Sequence, residues 1–148
     1  MKRINEFSMN FPAKSNNEGF ARSVVGVFAS QLDPTVDELA DIKTAVSEAV
    51  TNCVVHAYSG PEYEGKENII HIQCLLYDSG VEVSIEDFGK GIEDIELARQ
   101  AMYTTSPEAE RSGLGFTIME SFTDKITIIS AVGAGTKITM LKLFKNLQ

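Results

Sequence analysis

A chain of 148 residues is long enough to bury a core without disulfides or a structural metal and leaves little room for a second module, so one domain over residues 1–148 is expected. With 43% hydrophobic and 23% charged residues the composition is that of an ordinary globular protein, and no apolar run approaches the roughly 20 residues that cross a bilayer. The formal net charge of −8 argues against direct nucleic-acid binding, which gathers Lys and Arg on one face, and suits a basic protein partner.

The start, Met1-Lys2-Arg3-Ile4, runs straight into an alternating pattern instead of an apolar signal region, which predicts a cytoplasmic protein. Phe7, Met9 and Phe11 alternate with polar residues as a strand with one buried face, ended by Pro12. Ser15-Asn16-Asn17-Glu18 has the form of a capping box opening a helix, whose expected apolar stripe is Phe20, Val24, Val27, Phe28 and Leu32 before Asp33-Pro34 breaks it. A second helix is the most regular piece, with Leu39, Ile42, Val46, Ala49, Val50 and Cys53 recurring every three or four residues. Ser59 to Asn68 is a polar loop. Ile70, Ile72, Cys74 and Leu76 then alternate as a strand, Asp78-Ser79-Gly80 turns the chain, and Val81, Val83 and Ile85 form the partner strand. A short helix is expected from Ile95 to Met102, then a polar stretch from Tyr103 to Ser112, then a helix opening at Gly113-Leu114-Gly115 and carrying Ile118, Met119 and Phe122. The last piece is a hairpin in which Ile126 and Ile128 lead into Val132-Gly133-Ala134-Gly135 and Ile138, Met140 and Leu143 return.

Two cysteines in apolar-periodic positions, without a Cys-x-x-Cys spacing, read as small buried hydrophobes. Glu48 and Asn52 stand four apart on the second helix, one above the other on a flank away from its apolar stripe. An amide oxygen there suits Mg²⁺, which takes few protein oxygens beside waters and phosphates, and a carboxylate one turn earlier can take a proton; for the pair taken alone a solvated helix face is the better account, and the motifs that follow reverse that order. Asp87 ends a strand, and Phe88-Gly89-Lys90-Gly91 lets the backbone turn and approach a flat ligand, so the carboxylate can accept from an exocyclic amine such as that of adenine; an Asp-initiated turn is the plainer reading. Thr136 after Gly133-Ala134-Gly135 is ordinary hairpin chemistry unless the fold sets it beside Asp87. A glycine-rich helix start at Gly113-Leu114-Gly115 offers free amides to phosphate, and Arg111 adds a planar fork. The polar Thr104-Thr105-Ser106-Pro107-Glu108-Ala109-Glu110 reads as a lid. No Walker A loop and no dinucleotide fingerprint is present.

Taken in this order the four motifs resemble the nucleotide-binding boxes of the GHKL ATPases (gyrase, Hsp90, histidine kinase and MutL) over residues 35 to 142. Asp33-Pro34-Thr35, Val46 to Asn52, His56-Ala57-Tyr58 and Glu110 to Glu120 are similar to the small bacterial anti-sigma serine kinases, nearest the sporulation anti-sigma-F type. The resemblance implies a Bergerat-type α/β two-layer sandwich, a mixed and mainly antiparallel sheet with helices on one face. It implies a cofactor pair of ATP and Mg²⁺, with Asn52 on the metal, Glu48 as general base, Asp87 and Thr136 at the adenine, and Gly89, Gly91, Arg111, Gly113 and Gly115 around the nucleotide. Thr104, Thr105, Ser112 and Leu114 of the lid segment belong to the same set. It further implies a serine/threonine kinase that sequesters a sporulation sigma factor and phosphorylates a serine on an anti-anti-sigma factor, itself a homodimer, bound to no membrane. Two neighbouring readings are a general stress-response anti-sigma kinase and an ATP-gated sigma-binding protein with little turnover. A sensor histidine kinase would need a phosphoacceptor His on a dimerising hairpin, whereas His56 follows the second helix and His71 lies inside a strand; His56 reads as a core or capping histidine. Glu18 and Arg22 on the first helix offer a partner-docking face or a solvated surface. Glu86 and the long loop with Pro61 depart from the expected pattern.

Overall fold

The computed structural model describes residues 1–100 and 110–145, with the backbone alone for 110–114. In chain order the elements are β1 (Arg3–Pro12), α1 (Asn17–Ala29), α2 (Val36–Asn52), β2 (Ile69–Tyr77), β3 (Gly80–Asp87), α3 (Ile95–Arg99), α4 (Glu110–Phe122), β4 (Lys125–Ala131) and β5 (Gly135–Leu143). The strands form one sheet in the order β1-β2-β3-β5-β4. All its pairings are antiparallel, simpler than the mixed order expected from the resemblance.

Alternation along each strand aligns the apolar residues in register across the sheet. Met9 faces Ile72, Ile72 faces Ile85, Ile85 faces Ile138 and Ile138 faces Ile128, with Phe7, Cys74, Val83, Met140 and Ile126 as the next row. The helices cover this face, and Ile42, Val46, Val50, Phe116 and Met119 complete the core. The opposite face carries Gln73, Glu82, Glu86 and Lys137 and a Ser84 to Thr139 hydroxyl contact of 3.0 Å. A two-layer α/β sandwich follows from these one-sided strands and helices.

α2 keeps the expected stripe: Ile42, Ala45, Val46, Ala49 and Val50 are buried, and Cys53 continues the row. It is also where the capping box forms. Thr35 Oγ1 accepts the Glu38 amide at 3.1 Å, and Glu38 Oε1 accepts the Thr35 amide at 3.0 Å. Glu38 Oε2 accepts the Lys145 amide at 2.7 Å, and Asp41 pairs with Lys142 at 3.3 Å, so the start of α2 is tied to the end of the chain's last strand.

α1 departs from the expectation twice. Its N-cap is Asn16, which makes no side-chain cap hydrogen bond; the Ser15 carbonyl accepts the Glu18 amide at 3.3 Å, so the turn closes through backbone and the box at Ser15 does not form. Its buried residues are Ala21, Val25, Gly26 and Ala29, whereas Phe20 and Val27 are 53% and 75% exposed. The seam against α2 is narrow and takes small side chains, with the Lys43 stem lying against Gly26; the large rings move to the flanks, where Phe28 meets Phe7 edge-on at 4.7 Å and Phe20 meets Phe11 at 6.4 Å. α3 is shorter than expected, capped by Asp94 and ending at Arg99; Met102 lies outside the described residues.

Replacing Thr35 by alanine removes the cap of α2 and half of its box, and the variant should lose about 0.5 to 2 kcal/mol of stability in a denaturant titration. An unchanged midpoint would mean that the Glu38 bonds alone hold the helix start.

Candidate functional site

The site assembles around the second half of α2. Glu48 and Asn52 are half-buried on the flank that faces α4, and a Cβ built on Gly115 would stand 3.3 Å from Glu48 Oε2 and 3.5 Å from Asn52 Oδ1. Gly115 thus lets α4 lie close over both groups. The expected solvent-facing flank is in fact a cleft between two helices, and burial together with nearby Glu18 of α1 pushes the Glu48 carboxyl above its ordinary range. Asn52 Nδ2 is buried without a hydrogen-bond partner among the described residues, an orphan donor of the kind a ligand oxygen satisfies.

At the far end of the same helix the chain makes one wide turn, Cys53–Ala57, that brings it against the end of β3. Asp87 is 5% exposed there. Its Oδ1 accepts the amides of Gly89 at 3.0 Å and Thr136 at 3.2 Å, and its Oδ2 accepts the Cys53 thiol at 3.5 Å. Burial pushes its pKa up, helped by neighbouring Glu86, against the three donors that pull it down. Thr136 stands opposite Asp87 in the β3–β5 register, so the condition for its involvement is met, though through its amide; the hydroxyl meets Ser130 Oγ at 2.8 Å. Ser130 also receives the Ile92 amide at 2.7 Å and forms one wall of an open cavity of about 800 Å³ with Ile92, Asp94 and Leu97.

The glycine loop after Asp87 is clamped from both sides. Lys90 donates its amide to the Ala57 carbonyl at 2.9 Å, and a Cβ on Gly89 would lie 2.0 Å from that carbonyl oxygen, so only glycine fits. Gly91 takes a φ of +76° with its Cα face against the Ala131 carbonyl of β4. Tyr58 braces the loop: its hydroxyl accepts the Phe88 amide at 2.7 Å and donates to the Ile69 carbonyl at 2.6 Å. His56 is half-buried, its pKa lowered by burial and by Lys90, and its backbone carbonyl accepts from the Ser59 hydroxyl at 3.0 Å.

The structure therefore brings together Glu48, Asn52 and Gly115 as one group and Asp87, Gly89 and Thr136 as another, joined by α2. One sequence expectation is corrected. α4 begins at Glu110, so Gly113-Leu114-Gly115 lies within its first two turns and does not open it; the run Glu110-Arg111-Ser112 is helix-compatible, and packing of the α4 face on α2 outweighs the cost of about 1 kcal/mol per glycine. Arg111, Ser112, Gly113 and Leu114 are described as helix backbone only, and Thr104 and Thr105 lie outside the described residues. Two site residues escaped sequence reading. Cys53 continues the apolar stripe, and nothing near it in sequence points to Asp87; Tyr58 falls in the His56-Ala57-Tyr58 segment of the resemblance, but nothing in the sequence shows that its hydroxyl braces the glycine loop.

Among the described residues no three His, Cys, Asp or Glu side chains cluster as metal ligands, so a cation beside Asn52 would complete its shell with water and phosphate, as Mg²⁺ does. No described helix is long and apolar enough to cross a membrane.

Residues 11–142 match the family model of the histidine kinase-like ATPase domain. The chain is 50% identical over 142 residues to the anti-sigma F factor of Caldanaerobacter subterraneus subsp. tengcongensis, covering 96% of each chain. It is 49% identical over 138 residues to that of Oceanobacillus iheyensis, covering 93% of this chain and 92% of the relative, and 46% identical over 144 residues to that of Clostridium novyi, covering 97% and 98%. Among solved structures, the RsbU and RsbW domains of Rv1364c from Mycobacterium tuberculosis superpose with a TM-score of 0.65 at 20% identity, over 95% of this chain and 32% of that one. That likeness carries the fold alone.

A carboxylate whose folded pKa lies above its unfolded value binds more protons when folded, so its contribution is fully present below the unfolded pKa of about 3.9 and is lost as pH rises through the raised folded value. For Asp87 the sign is that of a group whose charge opposes folding. Asp87→Asn should remove this pH dependence and leave the ligand-free melting temperature at neutral pH equal to or above the parent's. A lower melt would mean that the charged carboxylate is a net stabiliser of its loops.

Proposed function

Because the chain belongs to the histidine kinase-like ATPase domain family, and within it to the anti-sigma F factors, we propose that it binds ATP with Mg²⁺, holds a sporulation sigma factor, and phosphorylates a serine on an anti-anti-sigma protein. The observation that carries the reading is the placement of Glu48, Asn52 and the approach to Asp87 along one helix, which gives a triphosphate and a base separate anchors on a single rigid element. Asp87 takes the exocyclic amine of the purine on its remaining acceptor position. Asn52 offers its oxygen to the metal, and its orphan Nδ2 donor suits a phosphate oxygen. A Mg²⁺ ion held by Asn52 would supply neutralisation of phosphate charge.

In the transfer step the serine oxygen of the partner forms a bond to the γ-phosphorus, the bond to the β,γ-bridging oxygen breaks, ADP leaves, and the serine proton passes to Glu48. Its raised pKa makes Glu48 a better proton acceptor than an exposed carboxylate. Gly89, Gly91, Arg111, Gly113 and Gly115 line or flank the nucleotide in this reading, with Thr104, Thr105, Ser112 and Leu114 on its lid side. A homodimer belongs to the same reading, and the helix-free face of the sheet is the surface available for it.

Purified protein incubated with γ-labelled ATP and the candidate anti-anti-sigma partner should transfer label to one serine. Glu48→Gln should retain ATP and sigma-factor binding while transfer falls about 10²- to 10⁴-fold. Near-normal transfer would reduce Glu48 to orienting its surroundings, and absence of label from the parent protein would leave an ATP-gated binding protein. Asn52→Ala should weaken binding of ATP in the presence of Mg²⁺ with the ligand-free melt unchanged, since the residue makes no side-chain hydrogen bond among the described residues through its buried nitrogen. A large drop in that melt would make Asn52 a structural residue.

A further inference from the structure

The donors around Asp87 are distributed unevenly. A carboxylate has about four acceptor positions. Both positions of Oδ1 are taken by backbone amides, those of Gly89 and Thr136, while among the described residues Oδ2 has a single donor, the thiol of Cys53 at 3.5 Å. Cys53 is 2% exposed and immediately follows Asn52 in sequence, so its position is set by the helix that carries the proposed phosphate-side groups. Sγ stands 3.5 Å from Oδ2, and because a carboxylate oxygen accepts, the thiol is the donor of the pair.

Resting on the reading that Asp87 receives the purine amine, we propose that Cys53 is a positioning residue for base recognition, its thiol fixing the plane of the Asp87 carboxyl so that the last acceptor position of Oδ2 faces the ligand. The chemistry suits a thiol. As a weak donor it orients Oδ2 without drawing off much of the oxygen's capacity to accept, whereas an amide in the same place would compete with the ligand. With the two amides alone the carboxyl would be held at one oxygen and free to rotate about that anchor. The thiol supplies the second point that defines the plane. Ligands with an exocyclic amine at the purine 6-position gain from this, and purines without it do not.

The test measures dissociation constants for ATP and for purine riboside triphosphate, which lacks the 6-amine, in the presence of Mg²⁺. Cys53→Ala should weaken ATP about three- to tenfold, the worth of one hydrogen bond, and leave the amine-free nucleotide within about twofold of its parent value. Cys53→Ser, which restores a donor, should recover most of the preference for ATP. Equal weakening of both nucleotides in Cys53→Ala, an unchanged ratio, or a Ser variant as impaired as the Ala variant would overturn the assignment. Asp87→Asn in the same titrations separates the two levels. If it abolishes the preference while Cys53→Ala keeps it, only the role of Cys53 fails; if it keeps the preference, the base-reading role of Asp87 fails and this inference with it.

Discussion

A carboxylate buried at the end of a central strand must be given donors by whatever surrounds it, and the loops at this end of the sheet are arranged by that demand. Asp87 draws in an amide from its own glycine loop, an amide from the start of β5 and a thiol from the end of α2. Three segments distant in sequence thus meet at one side chain. Even so, burial outweighs the donors and the group remains costly to ionise. A fold that keeps such a group has left part of its hydrogen-bonding capacity unspent, which is the condition for binding a ligand there.

The second demand is steric. The Phe88 to Gly91 loop passes so close to the Ala57 carbonyl on one side and the Ala131 carbonyl on the other that its glycines leave no space for side chains, and Tyr58 stakes the loop to the start of β2. The Asp87 end of the candidate site is therefore rigid through backbone contacts, while the end between α2 and α4 is built from side chains of intermediate exposure. Rigidity at one end and adjustable side chains at the other are compatible with one pocket.

Much of the fold was legible because single-face burial writes period-two and period-3.6 patterns directly into the chain. The strands at Phe7 to Phe11, Ile70 to Leu76 and Val81 to Ile85 and the stripe of α2 all stand where alternation placed them. α1 misled because hydrophobicity alone favours Phe20 and Val27, while a close helix seam selects small residues such as Ala21 and Ala29, a packing constraint that no single-helix pattern contains. The capping signature at Ser15 was equally valid locally but lost to backbone closure, whereas Thr35 to Glu38 went unnoticed beside the prominent Asp33-Pro34 break. In the candidate site, motif order singles out Glu48, Asn52 and Asp87, which the structure gathers at the second half of α2 and the strand end beyond it. Cys53 is not singled out, since its partner is 34 residues away and its own row on the helix is apolar.

The tethering of α2 at both ends has a mechanical corollary. Its first turn is bonded to Thr35 and to the amide of Lys145, Asp41 pairs with Lys142, and the turn beyond its last residue is joined to Lys90 through the Ala57 carbonyl. Among the described residues α4 packs on α2, α3 and β4, and its Glu120 pairs with Arg99 at 2.6 Å. The α2 wall of the cleft is thus referenced to the sheet at both of its ends. A strut fixed at both ends sets the separation of Glu48 and Asn52 from Asp87 in advance, so that spacing belongs to the fold itself and does not have to be rebuilt when anything enters the cleft.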